Sequence, residues 1–208
     1  LAWQYNARWQ GRTGRLGHAS TVLRWQVGVP LLLALVLFFG AIALEIFGRQ
    51  ASDLAGFDAG LAASLRAHLP LPALRTIAVI THLGDKLWVT AVSTLVLLVL
   101  LLRRHWQLAL AWAVALLGVL PINGGLKMLF RRARPLHDHG FIIEPGWSFP
   151  SGHAFGSVVF YGMLAYVLLS LSPRFHRAII AAAMLLIGVV GISRILLQVH
   201  YFSDVLAG

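Results

Sequence analysis

Residues 28 to 48 form an apolar run of 21 in which Glu45, close to its end, is the only ionisable group. At 1.5 Å per residue a helix of that length crosses a hydrocarbon core of about 30 Å. The run exceeds the roughly 7–15 residues of a signal-peptide core and no small-residue cleavage site follows it, so it reads as a retained span. Four more stretches follow: 87–102, uncharged and long enough to span if 81–86 extends it; 106 to about 128; 154–171; and 175–192. From Leu196 the chain turns apolar again and stops at Gly208, at the start of what reads as a sixth span. The expected fold is an all-α integral membrane protein, a bundle of six transmembrane helices with the sixth cut short. Residues 1–27 are expected to be a basic cytoplasmic segment and 28–208 the membrane-embedded domain. Since the chain begins with Leu, both ends are expected to be trimmed.

Composition agrees. The chain is 59% hydrophobic and 12% charged, against about 45–50% and about 25% for soluble domains. That excludes a disordered chain, a coiled coil and most soluble enzymes. Zero cysteines exclude a disulfide scaffold, thiol catalysis and Cys-based metal sites.

The net charge of +10 (17 Lys+Arg less 7 Asp+Glu) is read against a bilayer rather than nucleic acid. Arg8, Arg12, Arg15 and Arg24 precede the first span, among Trp3, Tyr5, Trp9 and Trp25. Arg103 and Arg104 separate spans two and three, and Arg174 and Arg177 separate spans four and five. These eight basic residues, with no acid among them, share one side, which the positive-inside rule makes cytoplasmic. The other side carries nine, so the assignment rests on setting aside Lys127, Arg134 and Arg194 as site residues. Between spans one and two, Leu54, Phe57, Leu61, Leu65 and Leu69 recur at helical spacing, with Asp53, Asp58, Arg66 and His68 largely elsewhere on the wheel. The pattern predicts an amphipathic helix in the outer interface or one packed over the bundle, ended by Pro70 and Pro72.

Ionisable groups at span ends point to function in a chain this poor in charge. Three clusters occur: Lys127 to Arg134-Pro135 at the end of span three, Pro150-Ser151-Gly152-His153 opening span four, and Ser193-Arg194 followed by His200 and Asp204. Lys127 and Arg134 lie two helical turns apart and are expected on one face. Ser151 and Gly152 at a helix start offer backbone N–H groups to an anion, and guanidinium groups bind phosphate bidentately. His200 and Asp204, four apart at a helix head, are expected on one face, where the carboxylate fixes the imidazole tautomer and leaves the other nitrogen nucleophilic. His153 is placed to act as general acid. Taken singly, each residue has a plainer reading, as a snorkelling cation, a helix-start histidine or a structural i,i+4 pair. Together they describe a phosphoryl-transfer site built without metal.

These segments resemble the three-part signature of the type 2 phosphatidic acid phosphatase superfamily, K-x6-R-P, P-S-G-H and S-R-x5-H-x3-D, at all eleven fixed positions. Thr81-His82-Leu83-Gly84-Asp85 also resembles a segment that bacterial members carry before the second span. The resemblance implies a six-helix membrane bundle with its site near the outer surface, needing no cofactor. It implies that His200 attacks phosphorus and forms a phosphohistidine, that Asp204 orients it, and that His153 protonates the leaving oxygen and then activates water. Lys127, Arg134, Arg194, Ser151 and Gly152 would hold the phosphoryl oxygens. Its substrates would be lipid phosphomonoesters or diphosphates, namely undecaprenyl diphosphate (favoured), phosphatidylglycerol phosphate or phosphatidic acid, in a bacterial inner membrane with the site facing the periplasm.

Other residues are assigned more loosely. His82 and Asp85 line the entrance, with a helix-cap role for Asp85 as the alternative. Arg131 and Arg132 contact a second phosphate or face headgroups. His137-Asp138-His139 reads as a solvated loop rather than a metal site with His153, and Gly124-Gly125 as a site of close helix packing. A phosphotransferase would use the same residues. A transporter would carry its ionisable groups at mid-membrane depth, and here they lie at span ends.

Overall fold

The computed structural model describes residues 25–48, 52–137 and 139–208; the arginine- and tryptophan-bearing segment up to Arg24, and Asp138, lie outside them. Among the described residues the chain builds eight α-helices: α1 (Trp25–Phe47), α2 (Asp53–His68), α3 (Leu71–Ile80), α4 (Lys86–Leu102), α5 (Trp106–Phe130), α6 (Gly152–Leu171), α7 (His176–Leu196) and α8 (Phe202–Ala207). A 3-10 turn, Thr81–Gly84, links α3 to α4. The described residues up to Ile46 and those of Phe47–Gly208 fall into two units, each taken by itself. In lipid every backbone polar group must find its partner within the protein, which a helix achieves inside one segment.

Among the described residues, five segments are long and apolar enough to cross a membrane: Gly28–Phe47, Leu71–Leu102, Trp106–Phe130, Gly152–Leu171 and His176–Leu196. They carry many exposed leucines, such as Leu87, Leu102, Leu117 and Leu129. An apolar surface of that extent has to be covered, and in a multi-pass membrane protein the bilayer covers it. The five spans fall where the apolar runs predict them, with one change. The second starts at Leu71, because Pro70 and Pro72 do not merely end α2. Pro70 caps α3 and Pro72 sits in its first turn, where the missing N–H costs no hydrogen bond. Where a sixth span is expected to begin, the chain forms a loop from Leu197 and then the short helix α8, Phe202–Ala207.

Two faces differ from expectation. On α2, Phe57 is exposed and Asp58 is buried. Leu54, Asp58, Leu61 and Leu65, spaced i, i+4, i+7 and i+11, turn inward together, so the helix is packed on the protein through a stripe that contains a carboxylate. A Cβ on Gly124 or Gly125 would meet nothing within 4 Å, so among the described residues no neighbouring helix packs against these glycines.

One buried apolar cluster lies between α4, α5, α6 and α7, and a second joins Leu74 of α3 to Leu197 and Val199; the first is the one beside the 3-10 turn. Trp112, Phe160, Tyr161, Leu100 and Val190 form that first cluster. Trp112 and Phe160 meet edge to face at 5.9 Å, a favourable ring geometry. The Trp112 indole donates to the Ser93 carbonyl at 3.2 Å, and Tyr161 Oη donates to the Leu83 carbonyl at 2.8 Å. The second bond ties the 3-10 turn to α6. Gly84 makes the approach possible, since a Cβ there would lie 2.6 Å from Val190 Cγ1 and 3.1 Å from His153 Cδ2. The turn is thereby held against α6 and α7.

Candidate active site

All three polar clusters converge at one end of the Phe47–Gly208 unit. Lys127 stands in the last turn of α5, which Arg131 ends in the left-handed region at φ 46°. The chain leaves the helix there, so Lys127 and Arg134 do not share a helical face as their spacing predicts. They meet instead through the loop before α6. Lys127 Nζ donates to the Trp147 carbonyl, and Arg134 donates to the carbonyls of Gly146 at 3.1 Å and Trp147 at 3.3 Å. Phe149, fully buried, packs edge to face on Phe130 at 5.1 Å and anchors that loop to the end of α5.

His200 also lies outside a helix, in the loop before α8, and Asp204 is in the first turn of α8. Their side chains still meet, with Nδ1 3.4 Å from Asp204 Oδ2. The tautomer follows from the other nitrogen. Arg134 Nη1 lies 3.0 Å from His200 Nε2, and an arginine can only donate, so Nε2 carries a lone pair and Nδ1 carries the proton. Ser148 bridges the pair: its hydroxyl donates to Asp204 Oδ2 and lies 3.3 Å from Nδ1. Burial first of all, with the charges of Arg134 and Lys127 adding to it and Asp204 opposing, pushes the imidazole down to about 4. At neutral pH the ring is therefore an uncharged base whose Nε2 lone pair accepts from Arg134. Removing the bridging hydroxyl in Ser148→Ala is expected to lower kcat by roughly tenfold with KM nearly unchanged, the worth of one buried hydrogen bond. Steady-state kinetics of the purified variant check it.

The second histidine lies across the site. His153 Nε2 is 2.9 Å from Asp85 Oδ1, and Nδ1 is 3.7 Å from Glu144 Oε1. Asp85 also pairs with His82 Nδ1 at 2.5 Å. Asp85 is therefore a partner of the half-buried His153, and His82 lies outside it with its side chain largely exposed. Arg194 is fully buried on α7, giving Nη1 to Thr81 Oγ1 at 2.8 Å and Nη2 to Glu144. Its Nε, also buried, has no hydrogen-bond partner among the described residues. Although burial raises the Glu144 carboxyl, the charges of Arg194 and His153 outweigh it and hold the group below the usual carboxylate range.

The P-S-G-H segment is held from both sides. Ser151, fully buried, caps α6 by accepting from the Ala154 N–H at 3.4 Å, and its own N–H donates to the Asp204 carbonyl at 2.9 Å. A Cβ on Gly152 would sit 3.1 Å from Asn123 Oδ1, so glycine lets α5 and α6 close up there.

The two arginines expected to face a second phosphate part company. Arg131 is exposed and its Nε donates to the Met128 carbonyl at 3.0 Å. Arg132 turns inward and grips two carboxylates, Asp204 Oδ1 at 2.6 Å and Asp58 Oδ2 at 2.8 Å, with its guanidinium 4.2 Å from the Tyr201 ring. It is taken up inside the protein rather than presented to a headgroup. His137 and His139 stack at 4.7 Å, and His139 Nε2 donates to the Leu197 carbonyl at 2.7 Å. Sequence reasoning misses Ser148, Glu144, Thr81 and the partnership of Asp58. Only Asp58 leaves a signal, its register with three inward leucines.

Five apolar spans with a basic, histidine-bearing cluster at one end define a membrane enzyme of phosphoryl transfer. Comparison with known proteins gives the same answer. The family model described as the PAP2 superfamily matches residues 106–208. The chain is 30% identical over 209 residues to the lipid A 1-phosphatase of Rhizobium etli, covering 89% of this chain and 79% of that protein. It is 35% identical over 91 residues to the phosphatidylglycerophosphatase B of Bacillus subtilis, covering 42% of this chain and 44% of that protein. The crystal structure of a transmembrane PAP2-type phosphatidylglycerolphosphate phosphatase from Bacillus subtilis superposes with a TM-score of 0.76 at 25% identity, over 84% of this chain and 87% of that one. The chain belongs to the PAP2 superfamily, and it is a membrane lipid phosphatase.

Proposed function

We propose that the chain hydrolyses a lipid-borne phosphate through a phosphohistidine on His200 Nε2, at the non-cytoplasmic face of a bacterial inner membrane. The observation that carries this reading is the unprotonated Nε2, which accepts from Arg134 while Asp204 and Ser148 hold the far side of the same ring. When a phosphoryl group enters, Arg134 passes from Nε2 to a phosphoryl oxygen, beside Lys127 and the open Nε of Arg194. Nε2 then forms the P–N bond as the P–O bond to the lipid breaks, and His153 gives its proton to the leaving oxygen. The positive charge that develops on the ring is met by Asp204. Water next attacks phosphorus, His153 takes its proton, and the P–N electron pair returns to Nε2. Positioning and charge neutralisation supply most of the acceleration in phosphoryl transfer.

For the substrate we propose a lipid A-type 1-phosphate, because the likeness to lipid A 1-phosphatase runs through most of both chains whereas that to phosphatidylglycerophosphatase B covers under half of each. Phosphate release from lipid A 1-phosphate, phosphatidylglycerol phosphate, phosphatidic acid and undecaprenyl diphosphate, with chelator present, tests it. Release fastest from the first supports the assignment, and release fastest from another moves it. Phosphate that disappears from substrate only when a second lipid accepts it would make the enzyme a transferase.

The pH dependence follows from the ring. His200 must be neutral to attack, so its contribution to kcat/KM is full at neutral pH and lost as pH falls through about 4. His153 must be protonated for the first step, which gives the basic limb and a bell overall. An acid limb centred near 6.5, the ordinary histidine value, would refute the buried neutral nucleophile. Linkage adds a stability effect. The unfolded chain binds this proton near 6.5 and the folded chain only near 4, so acidification from 6.5 to 4 favours unfolding.

A further inference from the structure

We propose that Asp58, on α2, is a positioning residue for the reaction, because it shares Arg132 with Asp204 and so leaves the nucleophile's carboxylate enough negative charge to act. This rests on the roles of His200 and Asp204 proposed above.

The geometry is a fork. One guanidinium, Arg132, bridges two carboxylates through different nitrogens, Nη1 to Asp204 and Nη2 to Asp58. Both acids are buried, at 1% and 0% exposure, and the arginine nearly so. Asp58 holds the start of α8 as well, since its Oδ1 accepts from the Ser203 N–H at 3.1 Å and its Oδ2 from the Ser203 hydroxyl. Ser203 immediately precedes Asp204, so a carboxylate 145 positions away in sequence fixes the turn that aims the catalytic one.

Charge counting gives the consequence. Paired with Arg132 alone, Asp204 would be neutralised where its field has to stabilise the positive charge growing on His200. With Asp58 present, two carboxylates share one cation and the cluster keeps a net negative charge facing the imidazole. The other charged groups around it, Lys127 from α5, Arg134 before the loop and Glu144 within it, are unchanged by a substitution at Asp58. Tyr201 lies over Arg132 as a neutral ring. Removing the Asp58 charge therefore weakens the field at His200. It makes the ring harder to protonate and slows the step in which the ring becomes cationic.

The test compares wild type, Asp58→Asn, Phe57→Ala and His200→Ala of the full chain in detergent micelles, using the lipid phosphate that wild type hydrolyses fastest. Asp58→Asn is expected to lower kcat 10- to 100-fold with KM within about threefold, and to move the acid limb of kcat/KM to lower pH. Phe57→Ala removes an exposed ring from the helix that carries Asp58, where it meets Phe202 of α8 at 5.6 Å, and is expected to stay within threefold of wild type with an unmoved limb. Asp58→Asn with wild-type kcat overturns the proposal, and so does a loss that Phe57→Ala reproduces, which would make α2 packing the cause. If Asp58→Asn does not fold, Asp58→Ser is read instead. It removes the same charge with a smaller group and is expected to lower kcat at least tenfold and to move the acid limb to lower pH, a wild-type kcat with an unmoved limb overturning the proposal. His200→Ala separates the two readings: near wild-type turnover there removes the catalytic assignment itself, whereas its loss beside an unaffected Asp58→Asn removes only the role of Asp58.

Discussion

His200→Ala is expected to lower kcat by at least about ten-thousand-fold, with substrate binding largely retained. Removing the nucleophile of a covalent mechanism leaves only the acceleration from positioning and charge, and in a well-studied hydrolase the loss reaches about 10⁶-fold. Here the remaining cations, Lys127, Arg134 and Arg194, are fixed by groups other than His200: the carbonyls of residues 146, 147 and 199, Thr81 and Glu144. The anion site should therefore survive the substitution, and KM should change little. The contrast with His153→Ala sharpens the expectation. A general acid–base contributes typically ~10²–10⁴, and an aryl phosphate, whose leaving group needs no proton, should restore the first step but not the second. His153→Ala should then accumulate a phosphoenzyme, visible as a burst of phenol and as acid-labile, base-stable label on the protein. His200→Ala should show neither. Turnover of His200→Ala within tenfold of wild type would refute covalent catalysis at this residue.

The spans were legible because lipid imposes a simple condition, a helix of sufficient length with its charges at the ends, and the runs 28–48, 106–128, 154–171 and 175–192 meet it without help from tertiary context. The site motifs were legible for a related reason, since ionisable side chains are scarce enough in this chain that their spacing stands out. What spacing did not give was the local geometry. Lys127 and Arg134 read as one helical face because nothing in the sequence marks Arg131 as the left-handed residue that ends α5. His200 and Asp204 read as i,i+4 on a helix, although the pair is made between a loop and a helix start and is completed by Ser148, a residue from another segment. Arg132 sits beside Arg131 in sequence and looked equivalent to it. Only the fold brings Asp58 to it, and contacts between positions 74 apart are not written in periodicity. Asp58 was the recoverable miss, because a carboxylate in register with inward leucines is buried, and a buried carboxylate requires a partner.

Two adjacent arginines, one buried in an ionic network and one exposed, provide a sharp stability contrast. Arg132→Met is expected to destabilise the fold by about 3–5 kcal/mol, the range for removing one member of a buried ionic network. The cause lies less in the lost attraction than in what remains, since Asp58 and Asp204 would stay buried without the cation between them. Arg132→Lys should recover only part of this, because a point ammonium cannot reach two carboxylates through separate nitrogens as the planar fork does. Arg131→Met is expected to fall within about 0.5 kcal/mol of wild type, as for ordinary surface substitutions. Its side chain is exposed, it makes one bond to the carbonyl of Met128, and methionine carries the same left-handed backbone cost as arginine. Thermal unfolding in detergent separates them: at roughly 2–4 °C per kcal/mol for a chain of this size, Arg132→Met should lower Tm by about 6–20 °C and Arg131→Met by about 2 °C or less. Equal shifts would mean that Arg132 is not the buried cation of the fork. The comparison also bears on catalysis, because the network that Arg132 holds includes the carboxylate on which His200 depends. Within the temperature range where the variant stays folded, Arg132→Met should still lose kcat, whereas Arg131→Met should keep it. A folded Arg132→Met with wild-type kcat would confine this arginine to stability and sever the link between the fork and the reaction.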